Sequence, residues 1–364
     1  MLTPHGFVRG VVRWAEGRIT GIEGDVVDEA RLRDRPDLPL LLPGFVDLHL
    51  HGGGGADTMD GGDAVARIGA LHARHGTTSW LATTITAPLA DIERALSEAA
   101  PWIARRPAGS ARVLGVHLEG PWLGPDRLGA QPAAACLPRV ADCERLHALA
   151  PLRLVTLAPE LDGALELIAH LVGRGVRVQL GHSSADYDTA CRALQSGASG
   201  FTHLFNAMGA FHHRQPGVTG AALAHAEQAE LIPDLLHVHA GALRAALRAV
   251  PRLYAVTDAT AATGMPDGDY RLGRQTVRKC EGGVRLADGT LAGSTLTLDQ
   301  ALRNLVQLGL SVAEASARCS AHAAHHLRLA DRGRIEAGAW ADLVQLDPAT
   351  LAVRRVIVEG EPVT

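Results

Sequence analysis

The sequence predicts an α/β protein, a (β/α)8 barrel of the TIM type that carries a small β-sandwich domain formed by both chain ends. Three observations predict it. Short apolar runs bounded by Gly or Pro recur along the middle of the chain (FVDLHLHG, VLGVHLEGP, VRVQLGHSS, GFTHLFNAM and LYAVTDAT), as buried parallel strands do. Segments of helical period alternate with these runs. Each run closes on residues able to bind a metal or carry a proton: His49 and His51, Glu119, His182, His203 and Asp258. A barrel assembles its site in this way, from residues just past the C-terminal ends of several strands.

Taken in order, GFVRGVVRW and GRITGIEG alternate in the strand manner and precede the polar, Pro-containing DEARLRDRPDLP. Near the other end, RGRIEAGAWADLVQLD and AVRRVIVEGEPVT alternate similarly. Residues 1–42 and 334–364 are therefore expected to form one small β domain, and residues 43–333 the barrel. Within the barrel, FVDLHLHG leads to a helix through DAVARIGALHARHG, then the strand TTSWLATTIT. A helix through DIERALSEAAPWIARR precedes ARVLGVHLEGP, and a helix near CERLHALA precedes LRLVTLAPE. ALELIAHLVGRG leads to VRVQLGHS, and ADYDTACRALQSG to SGFTHLFNAM. ELIPDLLHVH and LYAVTDAT bring the strands to about eight, the barrel number. Two more helices follow, DQALRNLVQLG and VAEASARCSAHAAHHL, and the segment near 265–293 is expected to be a β excursion over the catalytic side, in the manner of a flap.

Composition bounds the function. With 364 residues, 47% of them hydrophobic, the chain can bury a full barrel core and still supply a smaller domain. A net charge of −4 without a basic block argues against nucleic acid as a partner. The five scattered cysteines (Cys136, Cys143, Cys191, Cys280 and Cys319) form no CxxC, so reduced thiols and a cytoplasmic location are expected. The N-terminus lacks the basic and apolar regions of a signal peptide, and the apolar runs are too short to span a bilayer, so no membrane association is expected. Histidine is abundant, and His72, His75, His147 and His170 fall in helical segments that ask for no special role.

The metal reading rests on combination. On a strand, alternate residues share a face, so His49 and His51 can both point into the barrel mouth. A lone His at a strand end is more often a structural hydrogen-bonder. Two of them, His182 and His203, in barrel order behind HxH and Glu119, reverse that preference. Imidazoles with carboxylates suit Zn2+ or Fe2+, and a catalytic site of this kind leaves a position open to water. Asp258 fits an N-cap, but beside a metal it fits a general base for a water whose pKa falls from about 15.7 to about 7. His117 shares the alternate face of Glu119 and is expected to be core or to support the ligands.

At this point the chain resembles the amidohydrolase superfamily and, within it, the N-acetylglucosamine-6-phosphate deacetylase family. PGFVDLHLHG, GVHLEGPWLGP, VTLAPE, LGHSSA, THLFNAM, HHRQPGVTGAAL, LHVH, VTDAT and LAGSTLTLDQALRNLV carry the resemblance, in order along nearly the whole chain. It implies a metal on Glu119, His182 and His203. Some relatives replace HxH and hold one metal, whereas this chain keeps His49 and His51, which implies room for a second. It also implies that Asn206, Ala207 and His237 contact the sugar phosphate, and that Arg214 reaches the phosphate in the neighbouring subunit of a homodimer. Two departures stand out: Gln131 occupies the place of a family His after HLEGP, and IPDLLHV replaces an IADGLHV-type segment.

The expected function is hydrolysis of N-acetylglucosamine 6-phosphate to glucosamine 6-phosphate and acetate, with one or two Zn2+ or Fe2+ ions per subunit. Gln131, a neutral donor that cannot carry the charge of an imidazolium, keeps a second substrate in view, such as N-acetylgalactosamine 6-phosphate or an unphosphorylated N-acetyl sugar. A non-catalytic binding barrel is the third reading, but such a chain should have lost ligands or the base, and this one keeps them all.

Overall fold

Alternating strands and helices build the middle of the chain. The computed structural model describes residues 1–34 and 37–363; residues 35, 36 and 364, which fall within the expected chain-end domain, lie outside the described residues. The barrel strands are β1 (Phe45–Leu50), β2 (Thr77–Thr83), β3 (Arg112–Glu119), β4 (Leu152–Leu157), β5 (Arg177–Leu180), β6 (Gly200–Phe201), β7 (Glu230–Leu231) and β8 (Tyr254–Ala255). The first six form one parallel sheet in sequential order, and β7 pairs with β8, again in parallel. Two links close the curl: Leu204 N–H donates to the Glu230 carbonyl at 2.9 Å, and a parallel bridge joins Leu50 to Ala259. Strands β1 and β2 are buried at every position, which explains their continuous apolar runs.

The shell helices are α1 (Ala64–Arg74), α2 (Leu89–Ala104), α3 (Val140–Leu149), α4 (Ala164–Gly173), α5 (Tyr187–Gln195), α6 (Gly217–His225), α7 (Ala240–Ala249), α8 (Leu298–Gln307), α9 (Val312–Cys319) and α10 (Ala321–His326). Apolar stripes turn helices toward the core; in α8 the stripe is Leu298, Ala301, Leu302 and Leu305. The run VAEASARCSAHAAHHL was expected to be one helix, but it divides into α9 and α10 at Ser320. There φ and ψ leave the helical region (−141°, −78°), and the Ser320 hydroxyl donates to the Ser316 carbonyl.

The chain ends supply two antiparallel sheets. One contains Leu2–Thr3, Gly6–Ala15 and Arg18–Val27; the other contains Leu40–Pro43, Leu343–Leu346, Val353–Val358 and Glu361–Pro362. Charge fastens them to the barrel. Glu359 accepts from Arg112 of β3 at 2.9 Å and from Arg332, which also bonds Asp342 at 2.6 Å and Ser79 of β2 at 3.2 Å. These arginines answer the burial of Glu359 and hold its carboxyl at about 2. A third antiparallel sheet (Gly268–Leu272, Gln275–Cys280 and Gly283–Arg285) follows β8 and stands over the C-terminal mouth of the barrel.

Candidate metal-dependent active site

The strands deliver their terminal residues to one point. His49 and His51 come from β1 and its end, Glu119 ends β3, His182 follows β5, His203 follows β6 and Asp258 follows β8. His182, His203 and Asp258 have positive φ (49°, 27° and 50°), so the chain turns sharply inward as each strand ends. All six are buried.

Glu119 is the hub. Its Oε1 lies 3.1 Å from Nε2 of both His182 and His203, which are 3.1 Å from each other. Its Oε2 lies 3.2 Å from His51 Nε2, which is itself 3.3 Å from Asp258 Oδ1 and 3.2 Å from His49 Nε2. Two donor sets result, Glu119–His182–His203 and His49–His51–Asp258, each compact enough to surround one ion.

The hydrogen bonds behind the rings show that this donor set fits a cation. His182 Nδ1 donates to the Arg127 carbonyl at 2.8 Å, so Nε2 presents a bare lone pair to Glu119 and His203. His49 Nδ1 donates to Glu230 Oε2 at 2.9 Å, so in its neutral form, the form that binds a metal, His49 turns its Nε2 lone pair toward His51 and Asp258. Lone pairs and carboxylates aimed at one another repel unless positive charge lies between them, and neutral imidazoles oriented from behind by carbonyls or carboxylates are the usual metal-binding arrangement. The ionisation equilibria agree. Burial works against protonated His51, yet hydrogen bonds and charge from Asp258 and Glu119 raise it to about 9. Burial opposes the Asp258 carboxylate too, but His49 and His51 pull it down to about 2.

Sequence reasoning missed Glu230. It is wholly buried, and its Oε2 accepts from His49 Nδ1 and from the His203 amide at 3.2 Å, so it orients the His49 ring and anchors the backbone that carries His203. A carboxylate inside the apolar stretch Ala229–Ile232 was the available signal, because buried charges need partners. His49, His117 and Glu230 form a third close group, but His117 is committed on both ring nitrogens, to the Leu48 carbonyl (3.0 Å) and the Thr156 hydroxyl (2.7 Å). His117 therefore supports the barrel interior.

A cavity of about 240 Å³ opens onto the two sets, lined by Asn206, Ala207, His237, Gln131 and the covering residues Leu272 and Leu291. His237 Nδ1 meets Asp234 Oδ2 at 2.7 Å; burial opposes its charging, but Asp234 raises its pKa overall. Gln131 is held on both sides: its amide donates to Glu119 Oε2 at 2.6 Å, and its carbonyl accepts from the Thr86 N–H at 2.7 Å. The residue expected to face substrate thus also braces the hub carboxylate. Arg214 does not line this cavity; it is exposed, and its guanidinium lies 2.8 Å from His213 Nε2. In the altered IPDLLHV segment, Leu235 takes a positive φ of 67°, a conformation that glycine adopts without strain. The antiparallel sheet after β8 meets the site through Leu272 in the cavity wall and through Gln275, whose side chain donates to the Ala130 carbonyl at 2.7 Å.

Comparison with known proteins places the geometry. Residues 40–363 match the amidohydrolase family model. An N-acetylgalactosamine-6-phosphate deacetylase of Escherichia coli O157:H7 is 41% identical over 99% of this chain and 97% of its own. An N-acetylglucosamine-6-phosphate deacetylase of Lysinibacillus sphaericus is 41% identical over 84% of this chain and 81% of its own. A solved N-acetyl-D-glucosamine-6-phosphate deacetylase variant of Mycobacterium smegmatis, in complex with N-acetyl-D-glucosamine-6-phosphate, superposes with a TM-score of 0.88 at 36% identity, covering 97% of this chain and 94% of that one.

Proposed function

The chain belongs to the amidohydrolase family, and from that premise we propose that it hydrolyses the N-acetyl group of N-acetylglucosamine 6-phosphate, giving glucosamine 6-phosphate and acetate. The observation that carries this reading is the Glu119 hub opening into a cavity lined by Asn206, Ala207 and His237. A divalent metal, Zn2+ or Fe2+, held by Glu119, His182 and His203, with a second on His49 and His51, supplies Lewis acidity toward water and the acetyl carbonyl.

The chain's own residues do the rest. Asp258 Oδ1 takes the proton of the attacking water and returns it to the leaving nitrogen, for which its low pKa keeps it unprotonated at the start. Its position 3.3 Å from His51 also lets it complete the second donor set, so proton carrier and ligand are compatible duties. His237, oriented by Asp234, donates from Nε2 to the substrate, and Asn206 and Ala207 border the sugar phosphate. Gln131 keeps Glu119 in place and leaves the cavity less cationic than a histidine would. Arg214, absent from its own cavity, reaches the phosphate bound in the other subunit of a homodimer; a guanidinium fork suits phosphate oxygens. No described helix is long and apolar enough to cross a membrane, and we place the enzyme in the cytoplasm with its thiols reduced.

A second substrate has a specific observation in its favour, since the Escherichia coli relative acts on the galacto epimer according to its name and aligns over nearly the whole of both chains. The test is acetate release from the gluco and galacto 6-phosphates and from unphosphorylated N-acetylglucosamine, with metal content measured on the same sample. The gluco phosphate should give the highest kcat/KM. A preference for the galacto epimer would transfer the assignment to it, and equal rates without phosphate would remove the role given to Arg214.

A further inference from the structure

The opposite mouth of the barrel holds a second cavity, of about 690 Å³. It is not an extension of the catalytic pocket. Arg177 begins β5 whereas His182 lies beyond the strand's end, and Gly200 begins β6 whereas His203 lies beyond its end. The two cavities therefore sit at opposite ends of the same strands.

Its lining is amphipathic. Arg177, Arg252 and His325 come from three separate elements, and Phe201 and Leu194 supply apolar wall. Among the described residues neither arginine side chain makes a hydrogen bond or an ion pair, and the buried Nε of Arg177 has no partner. Burial, and then the charge of Arg328, lower the Arg177 pKa, which marks a guanidinium short of compensating negative charge. After desolvation, the charges of Arg252 and Arg177 both depress His325, so the three groups act on a common space.

A buried amide fixes how His325 presents itself. Gln228 accepts from His326 Nδ1 at 2.9 Å through its carbonyl, so its amino group faces His325 Nδ1 at 2.8 Å. Nδ1 must then accept, and Nε2 of His325 carries the proton as a donor. Glu227 is the one carboxylate in the lining, and it is exposed.

We propose that this cavity binds a phosphate monoester with an apolar body, at a site separate from the catalytic pocket. Two guanidiniums and an imidazole N–H offer more donors than a single carboxylate can use, which favours phosphate. The apolar wall disfavours a bare sugar phosphate and favours an aromatic or aliphatic ester.

The test is calorimetric titration of the metal-loaded enzyme with phenyl phosphate, comparing wild type with Arg177→Gln/Arg252→Gln. The double variant should bind about tenfold more weakly or worse through loss of charge-assisted bonds, with kcat/KM for deacetylation unchanged. Arg252→Gln alone, at an exposed position, should show a smaller loss in the same direction and serves if the double variant does not fold. Crystals soaked in selenate should show anomalous scattering between Arg177 and Arg252. Superimposable isotherms for wild type and variants, or scattering confined to the metal pocket, would overturn the proposal.

Discussion

Glu119 and Asp258 differ in what the protein asks of them, although both are buried carboxylates beside histidines. Glu119 spends both oxygens on neighbours, whereas Asp258 meets His49 at 3.5 Å and His51 at 3.3 Å through Oδ1. Asp258→Asn should therefore leave folding and metal content at Glu119–His182–His203 intact while kcat falls about 10²–10⁴-fold; activity close to wild type would refute the proton-carrying role. A pH experiment tests the site without substrate. In metal-free protein His51 titrates at about 9 instead of its ordinary 6.5, so its contribution to stability is complete below 6.5 and is lost as pH rises through 9. Asp258, at about 2 instead of 3.8, contributes fully above 3.8 and loses that contribution as pH falls through 2. A metal held by these residues would replace their protons. The melting temperature of chelated protein should thus fall between pH 6.5 and 9 relative to that of loaded protein, and parallel curves would count against the site. At this scale the sequence made HxH, Glu119, His182, His203 and Asp258 legible because each closes an apolar run. Glu230 was hidden, because only the folded barrel brings it behind His49.

Elements were legible where their period is long and hidden where the backbone turns. α1, α2 and α4 carry clear apolar stripes and stand where the spacing placed them. The last three barrel strands are shorter than their apolar runs: β6, β7 and β8 are two residues each. Their runs continue into inward turns such as His203 and Asp258, whose positive φ ends regular pairing while burial continues. Gly293 in LAGS supports one of these turns. Its φ is +63°, and an added Cβ would come within 2.6 Å of Thr260 Cγ2 and 2.8 Å of the Asp258 carbonyl oxygen. That carbonyl accepts from the adjacent Ser294 N–H at 2.7 Å. Gly293→Ala should cost about 1–3 kcal/mol in stability and lower kcat by displacing Asp258. Thermal melts and kinetics would check it, and an unchanged melting temperature would contradict the packing argument.

The whole molecule was legible as a barrel with β-rich ends because strand and helix periods alternate so regularly. What joins the parts was not, since Arg112, Arg332 and Glu359 lie far apart in sequence and meet only across the docked sheets. Quaternary organisation yields its own prediction. If Arg214 serves the neighbouring subunit, unfolding and refolding an equal mixture of Asp258→Asn and Arg214→Ala subunits should restore activity that neither has alone. Half the re-formed dimers are mixed and each has one intact site, so recovery should approach roughly a quarter of wild type. No recovery would place Arg214 outside the site. The hub described above also bears on metal supply. Because Glu119 offers one oxygen to His182 and His203 and the other to His51, an ion held by one donor set would polarise a carboxylate shared with the other and would add a like charge nearby. Loading would then be stepwise, the second ion held less tightly than the first, and the enzyme would act as a rheostat whose occupancy follows the metal available to the cell.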